Sequence, residues 1–353
     1  MKKIAIAAAL HAAAGLACAQ SSVTVFGVVD TTWQHASQGG ISVSRLNGNG
    51  GNQFSRIGLR GTEELGDGLS AGFVLDAGLN IDTGAGAATS TDNVTSVNSG
   101  GLNFNRRATV SLISRTWGEV RLGRDFVPTY WNLTTFDPFG TAGAGAVTNL
   151  AQGALTQLSK TQTGLRASNS MGYFLPSMGG FYGQAMLALD EKAGGVPHDG
   201  RYYGVRMGHA QGPFNAAVSY GSTTLASGDV STSNIGASYQ WNQAKLMAQF
   251  FNDRKDTATA PSRSNGWMLG AQITLGSGYI PVSYTRVKDN SASGRNANQI
   301  ALGYVHNLSK RTAVYTTYSR LQNRNGAALT GGGVPGVANA AWSGLDIGVR
   351  HSF

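Results

Sequence analysis

Apolar and polar residues alternate one for one along much of this chain, the two-residue period of strands that bury one face in an apolar medium. Near the end, Leu345, Ile347, Val349, His351 and Phe353 share one face and Asp346, Gly348, Arg350 and Ser352 the other. Trp267, Leu269, Ala271, Ile273 and Leu275 alternate with Met268, Gly270, Gln272 and Thr274, and Tyr203, Val205 and Met207 with Gly204, Arg206 and Gly208. Sixteen strands are predicted, over residues 22–33, 53–62, 68–80, 102–114, 118–126, 165–175, 180–190, 200–210, 213–222, 231–240, 243–252, 265–275, 278–288, 297–305, 311–321 and 343–353. Short connections, such as 65–68, 114–118, 176–179 and 276–278, alternate with long ones at 34–52, 81–101, 127–164, 191–199, 223–230, 253–264, 289–296 and 322–342. Tight turns on one side and long loops on the other are the pattern of bacterial outer-membrane barrels. An arginine or glutamine within a strand needs water on its face, and closing the first strand on the last removes edges that hydrocarbon cannot satisfy. The expected fold is therefore all-β, a 16-stranded antiparallel transmembrane β-barrel.

Two strands fit this pattern poorly. Pro281 falls in a predicted strand, where it lacks a ladder donor; a bulge or the membrane–water boundary would accommodate it. The first strand is apolar on both faces, with Val23, Val25 and Val29 against Phe26 and Val28, as a strand covered by a neighbouring subunit would be.

Composition alters the picture at the start of the chain. Met1-Lys2-Lys3, an apolar stretch from Ile4 to Ala17 broken by His11, and Ala17-Cys18-Ala19 read as a secretory signal peptide over residues 1–19, with the barrel domain over 20–353. A lipoprotein reading of Cys18 is weaker, because Gly15 stands three residues before it. Cleavage would remove Lys2, Lys3 and the only cysteine, taking the formal charge from +9 to +7 and leaving no disulfide or cysteine metal site. No cofactor or metal is implied. Beyond the signal no run of 18 apolar residues remains, so no helix is expected to cross a membrane.

A pore selects by width, polarity and charge, and needs no nucleophile. With Ile57 and Leu59 facing lipid, Arg56 and Arg60 face inward; by the same parity so do Arg107, Arg121 and Arg166. Arg124 lands outward on strict alternation, unless a bulge turns it. Guanidinium groups stay charged, so this ladder would hold a positive potential and enrich anions. Alternatively, some of these arginines merely pair with Asp125, Asp137 or Glu64. The long segment 127–164 carries Tyr130, Trp131, Phe136 and Phe139 but only Asp137 and Lys160 as charges. Folding into the lumen and lying over it as a lid fit this composition equally.

The chain resembles the Gram-negative general porins of β-proteobacteria, of the Neisseria–Bordetella–Comamonas type, and among them the anion-selective porins of the Comamonas and Delftia group. The resemblance rests on Ser21-Ser22-Val23-Thr24-Val25-Phe26-Gly27, the run from Ser55-Arg56-Ile57-Gly58 to Glu64-Leu65-Gly66-Asp67-Gly68, Phe104-Asn105-Arg106-Arg107, and Gly118-Glu119-Val120-Arg121-Leu122-Gly123-Arg124. Gly303-Tyr304-Val305-His306-Asn307 and Gly348-Val349-Arg350-His351-Ser352-Phe353 extend it to the end of the chain. It implies a homotrimer in outer-membrane lipid and lipopolysaccharide, and a third long loop (127–164) folded inward as the constriction. It also implies a wall cluster at Arg56, Arg107 and Arg166, and Phe353 as the signal read by the barrel-assembly machinery. The family places acidic loop residues opposite the arginines; here Asp137 is nearly alone.

Other classes fare worse. The histidines after the signal, His35, His198, His209, His306 and His351, form no recognisable nucleophile constellation. A nucleic-acid partner is opposed by the signal and the alternation, and a secreted adhesin would lack lipid-facing alternation throughout. The expected function is passive diffusion of small hydrophilic solutes, preferentially small anions. The main alternative is a channel specific for one anion such as phosphate or an organic acid, which a stacked aromatic track beside the arginines would favour.

Overall fold

The computed structural model describes residues 22–97, 101–153, 155–156, 161–192, 194–256 and 261–353. The expected signal segment and Lys160 lie outside the described residues.

The strands in chain order are β1 Ser22–Gln38, β2 Ile41–Asn47, β3 Arg56–Gly66, β4 Leu69–Asn80, β5 Ala85–Gly86, β6 Arg107–Ser114, β7 Gly118–Phe126, β8 Arg166–Phe174 and β9 Phe181–Ala188. They continue as β10 Tyr202–Gln211, β11 Phe214–Thr223, β12 Val230–Trp241, β13 Ala244–Lys255, β14 Ser262–Leu275, β15 Gly278–Asp289, β16 Asn296–Asn307, β17 Thr312–Arg324 and β18 Trp342–Ser352. Helices α1 Pro128–Thr135 and α2 Thr148–Ala151 lie between β7 and β8.

All pairings are antiparallel, and β1 closes on β18 from Val28↔Ser352 to Gln38↔Trp342. Gly27 and Phe353 extend the seam by exchanging both backbone hydrogen bonds at 3.1 Å. Closure leaves no edge to be satisfied by hydrocarbon. Among the described residues the barrel has sixteen staves. β3 pairs with the first half of β1 and β2 with its second half, so the two form one interrupted stave. β5 touches only Leu79 and Asn80 of β4 and adds none.

The alternation holds in three dimensions. In β12, Ile235, Tyr239 and Trp241 are exposed, while Val230, Thr232, Asn234, Gly236 and Ser238 are buried. In β17, Val314 and Tyr318 are exposed against buried Tyr315, Thr317, Ser319 and Leu321. Large apolar side chains outside and small polar ones within invert the soluble-protein pattern, as lipid as solvent requires.

Three readings are corrected. Residues 34–52 are not one loop: β1 runs on to Gln38, turns at Gly39-Gly40 (φ +57° and +84°), and returns as β2, leaving 48–55 as the connection. The positive φ angles suit glycine; polar residues such as Gln34, Gln38, Ser42 and Ser44 hid the extension. The strand predicted over 102–114 begins only at Arg107, because Arg106 donates its backbone N–H to Asp76 O and the Asn105 side chain accepts from Gly78 N. Pro281 is accommodated without a register shift: β15 pairs with β16 on both sides of it, and only the pairs at Ile280 and Pro281 are missing.

Between β7 and β8, Pro128 opens α1 with its φ already helical. The helix ends before Asp137-Pro138, as a residue preceding proline disfavours helix. The segment's apolar residues Leu133, Val147, Leu150 and Leu155 cluster with Met247, Met268, Leu321 and Trp342 from the strands. Its polar contacts reach seven strands, among them β10 and β11, where Arg206 donates to Asn132 and Asn132 to the Ala217 carbonyl. Asn132 donates to Asn234 Oδ1 at 2.7 Å, and Gln249, Gln272 and Gln299 donate to the carbonyls of Phe136, Pro138 and Ala144 at 3.3, 2.6 and 2.9 Å. The amide of Ala144 donates to Asp346 at 2.9 Å.

Candidate functional site

The arginines of the β3–β7 wall meet the segment after β7 around a cavity of about 620 Å³. Arg56 and Arg60 reach it from β3, Asp76 from β4, and Arg106 and Arg107 from the start of β6. Tyr130, Trp131, Thr134, Gly140 and Thr141 form the facing side, with Gln272 of β14 and Tyr279 of β15 beyond them. Four guanidinium groups therefore face one carboxylate.

Their partners differ. The Arg106 Nε lies 3.3 Å from Asp76, and Arg107 lies 3.7 Å from Asp125. Arg121 is held by Glu119 at 2.8 Å and Asp125 at 2.6 Å. Arg56 donates to the Phe54 carbonyl at 3.2 Å, and Arg60 lies over the Phe26 ring at 5.2 Å. Among the described residues neither has a carboxylate within salt-bridge distance. The alternative that some arginines pair with acids thus holds for Arg107 and Arg121 at Asp125, while Glu64 accepts from Ser70 instead.

The expected residues do not all meet. Arg56, Arg60 and Arg107 line the cavity. Arg121 lines a second one of about 270 Å³ with Arg60, Arg107 and Glu119. Arg166, 8% exposed, stacks on the Phe126 ring at 4.3 Å and is not among the lining residues. Asp137 does not face the arginines: its carboxylate accepts the amides of Phe139, Thr141 and Val147 at 2.9–3.0 Å, tying α1 to the approach to α2. Burial pushes this carboxyl up to about 6, against the pull of those amides. Arg124 sits at a bulge between Gly123 and Asp125 and donates to Asn105 O at 2.6 Å and Ser168 Oγ at 2.7 Å. Phe353 lies at the β1–β18 seam, its ring over Gly27, where an added Cβ would collide with it.

Two features escaped the sequence reading. Arg106 lies in the wall although strand parity sends it outward, because parity has no meaning before the strand begins; the adjacent Arg106-Arg107 pair was the available signal. Asp30 of β1 accepts the amides of Gly51, Asn52 and Gln53 and the Tyr315 hydroxyl, holding 48–55 against the wall so that Phe54 lies beneath Arg106 at 5.5 Å. A lone acid in an apolar strand gave no hint of this.

The cavities adjoin. A third, of about 300 Å³ and lined by Arg45 of β2, shares Phe54 and Thr141 with the first; the first shares Arg60, Val74 and Arg107 with the second. Arginine side chains therefore border each step from the long-loop end toward the short-turn end.

The family model described as Gram-negative porin matches residues 5–326. Outer membrane porin protein 32 of Delftia acidovorans is 39% identical with full coverage of both chains, and an outer membrane porin protein of Bordetella pertussis is 29% identical with the same coverage. Among solved structures, an anion-selective porin from Comamonas acidovorans superimposes with a TM-score of 0.81 at 36% identity, over 95% of this chain and all of that one. With its closed sixteen-stave barrel and its inverted distribution of apolar side chains, this chain belongs to the Gram-negative porin family, the channels of the bacterial outer membrane.

Proposed function

We propose that this porin passes small solutes by diffusion with a preference for anions, and that residues 127–164 turn into the barrel to form its constriction. The observation that carries the anion preference is the wall of Arg56, Arg60, Arg106 and Arg107, where Asp76 is the one carboxylate lining the cavity, Asp125 reaches Arg107 at 3.7 Å, and neither Arg56 nor Arg60 has a carboxylate within salt-bridge distance among the described residues. An uncancelled positive wall beside a narrow aqueous path raises the local anion concentration and repels cations. The anion-selective relative from Comamonas agrees in sign. The inward course of the segment is supported by its hydrogen bonds to Asn234, Gln249, Gln272, Gln299 and Asp346, all on strand positions that alternate with lipid-facing ones.

The remaining assignments belong to the same reading. Arg56, Arg60 and Arg107 select at the narrowest part, Arg121 anchors the wall below them through Glu119 and Asp125, and Arg166 supports the wall through Phe126. Asp137 shapes the constriction from within the segment. Residues 1–19 direct export. Three copies associate through the apolar outer face of β1, where Val23 and Val25 are more than half exposed, in a membrane of lipid and lipopolysaccharide. Phe353 serves as the terminal signal for barrel assembly.

The test is the reversal potential of purified protein in a planar bilayer under a salt gradient. An anion-side potential that falls when Arg56, Arg60 and Arg107 are neutralised together supports the reading. A cation-side or null potential in the unaltered protein overturns it.

A further inference from the structure

The cavity carries more aromatic surface than charge selection needs. Phe26, Phe54, Phe126, Tyr130, Trp131 and Tyr279 all line it. Three of these rings support arginines. Phe26 lies under Arg60 at 5.2 Å, and Phe54 and Phe126 flank Arg106 at 5.5 and 5.8 Å. Tyr130 stacks on Phe126 at 5.4 Å. Trp131 and Tyr279 support no guanidinium among the described residues. Trp131 meets Phe126 edge-on at 5.4 Å, and Tyr279 accepts a hydrogen bond from Asn52 at 3.4 Å. Two large rings thus border an aqueous path beside Arg56 and Arg60.

A general diffusion constriction selects by width and charge and gains little from such rings, whose faces carry no net charge. A binding site does. Small-molecule sites enclose roughly 300–1,000 Å³, lined mainly by apolar and aromatic groups with a few convergent polar ones, and 620 Å³ with two guanidinium groups outside salt-bridge distance of any carboxylate among the described residues fits that description. A carboxylate is an anion that guanidinium grips with two parallel hydrogen bonds, and a flat aromatic ring is what stacks on an indole or phenol.

We infer that the cavity is a binding site for aromatic carboxylates, the carboxylate held by Arg56 and Arg60 and the ring against Trp131 and Tyr279. This rests on the anion-channel reading and narrows it: the channel passes small anions in general and retains planar aromatic ones on the way. The solute class is set by the pairing of charge and ring, so an aliphatic acid of equal charge and similar size is the proper comparison.

Benzoate and cyclohexanecarboxylate supply that pair. Each is titrated against chloride conductance of the full-length porin in a planar bilayer, and the half-blocking concentrations are compared. The expected result is block by benzoate at about two- to tenfold lower concentration, the range of an added aromatic stack, with the ratio falling toward one in Trp131→Leu and in Tyr279→Leu. The ratio is internal to each protein, so a change in overall conductance cancels, and either variant suffices if the other does not fold. Equal half-blocking concentrations in the unaltered porin overturn the inference, as does a difference that both variants retain. The chloride reversal potential separates the two levels. Anion preference without benzoate discrimination removes only the aromatic site, whereas loss of anion preference removes the reading beneath it.

Discussion

Neutralising Arg56 and Arg60 together, as Arg56→Gln with Arg60→Gln, probes the two guanidinium groups that line the cavity without an acidic partner among the described residues. A unit charge about 6 Å from a permeating ion contributes about 0.7 kcal/mol at the dielectric constant of water. The sign reverses between anion and cation, so each arginine separates the two by about 1.4 kcal/mol before screening, about tenfold in their ratio. At 0.1 M salt the Debye length is about 10 Å, which leaves about half of that energy, and the pair together is worth about tenfold. At 1 M, with a Debye length of about 3 Å, the same pair is worth only about twofold. The assay is the reversal potential of the purified porin in a planar bilayer at both salt concentrations. Arg254→Gln is the control, since Arg254 is exposed and bridged to Asp256 at 2.6 Å away from the cavity. An anion-to-cation ratio unchanged by the double substitution at 0.1 M would falsify the assignment of the field to this wall. A loss equal at both salt concentrations would show that the arginines act by shape rather than by charge.

Phe26→Leu keeps the charge of Arg60 but removes the ring 5.2 Å beneath it; the expected drop in anion preference is less than half of that from Arg60→Gln, and an equal drop would mean that the ring is indispensable to the field. Gly236 of β12 has no side chain where Phe136 rests against the strand, and a Cβ there would overlap that ring. Gly236→Val should therefore displace the 127–164 segment and change single-channel conductance by more than the same substitution at the lipid-facing Ala237; an unchanged conductance counts against the segment as the constriction. Lys192 joins two outer loops through Asp199 at 2.6 Å and Asp92 at 3.8 Å. Its hydrogen bond holds the Asp199 carboxyl low and raises the Lys192 ammonium. The tie is thus complete between about pH 4 and about pH 10. It weakens as pH falls through the depressed Asp199 value or rises through the elevated Lys192 value. Amide exchange over residues 194–201, corrected for intrinsic rates, should be slowest inside that window, and a flat profile refutes the tie. Phe353→Ala uncovers Gly27 at the seam, and should lower the fraction of chain that migrates as folded barrel in unheated detergent gels; an unaltered fraction removes the residue from assembly.

Much of the barrel was legible because one physical constraint writes itself at every strand. Lipid outside and water within force a two-residue period, and the alternation at Trp267–Leu275 and Leu345–Phe353 recurs in β14 and β18, broken in β14 at buried Ala271 and exposed Thr274. Where strands rise beyond the membrane the constraint lapses, and the pattern with it: Gln34, Gln38, Ser42 and Ser44 pair in β1 and β2 through backbone hydrogen bonds that any sequence can make. The site was legible in part for the same reason. Parity put Arg56, Arg60 and Arg107 on the wall, but parity says nothing about a residue outside a strand, and Arg106 was missed. Parity also fixes only a face, not a partner. Arg166 and Arg107 both start strands on the inner side, yet one packs against Phe126 and the other reaches the cavity. Asp137 was the only acid available in its segment for the opposing wall, but a buried turn with three free amides is a stronger claim on a carboxylate than a solvated channel.

The partners of the arginines explain how a wall can be both rigid and charged. A guanidinium on a flexible stem must be held if it is to act at a fixed place, and a carboxylate is the usual means. A carboxylate, however, cancels the field that the channel needs. The porin meets the two requirements in different proportions along its length. At Arg121, below the main cavity, Glu119 and Asp125 fix the side chain at 2.8 and 2.6 Å and neutralise it. In the main cavity Arg60 rests on Phe26 with no carboxylate within salt-bridge distance among the described residues, while Arg106, bridged to Asp76 at 3.3 Å, is also flanked by Phe54 and Phe126. The face of an aromatic ring attracts a cation through its quadrupole yet carries no net charge, so it holds the guanidinium without subtracting from the potential. Asp30 then acquires a role although it is not among the residues lining the cavity: by gathering the amides of residues 51–53 it sets the position of Phe54, and through Phe54 that of Arg106. An acid that would weaken the field from inside the cavity supports it from behind the wall.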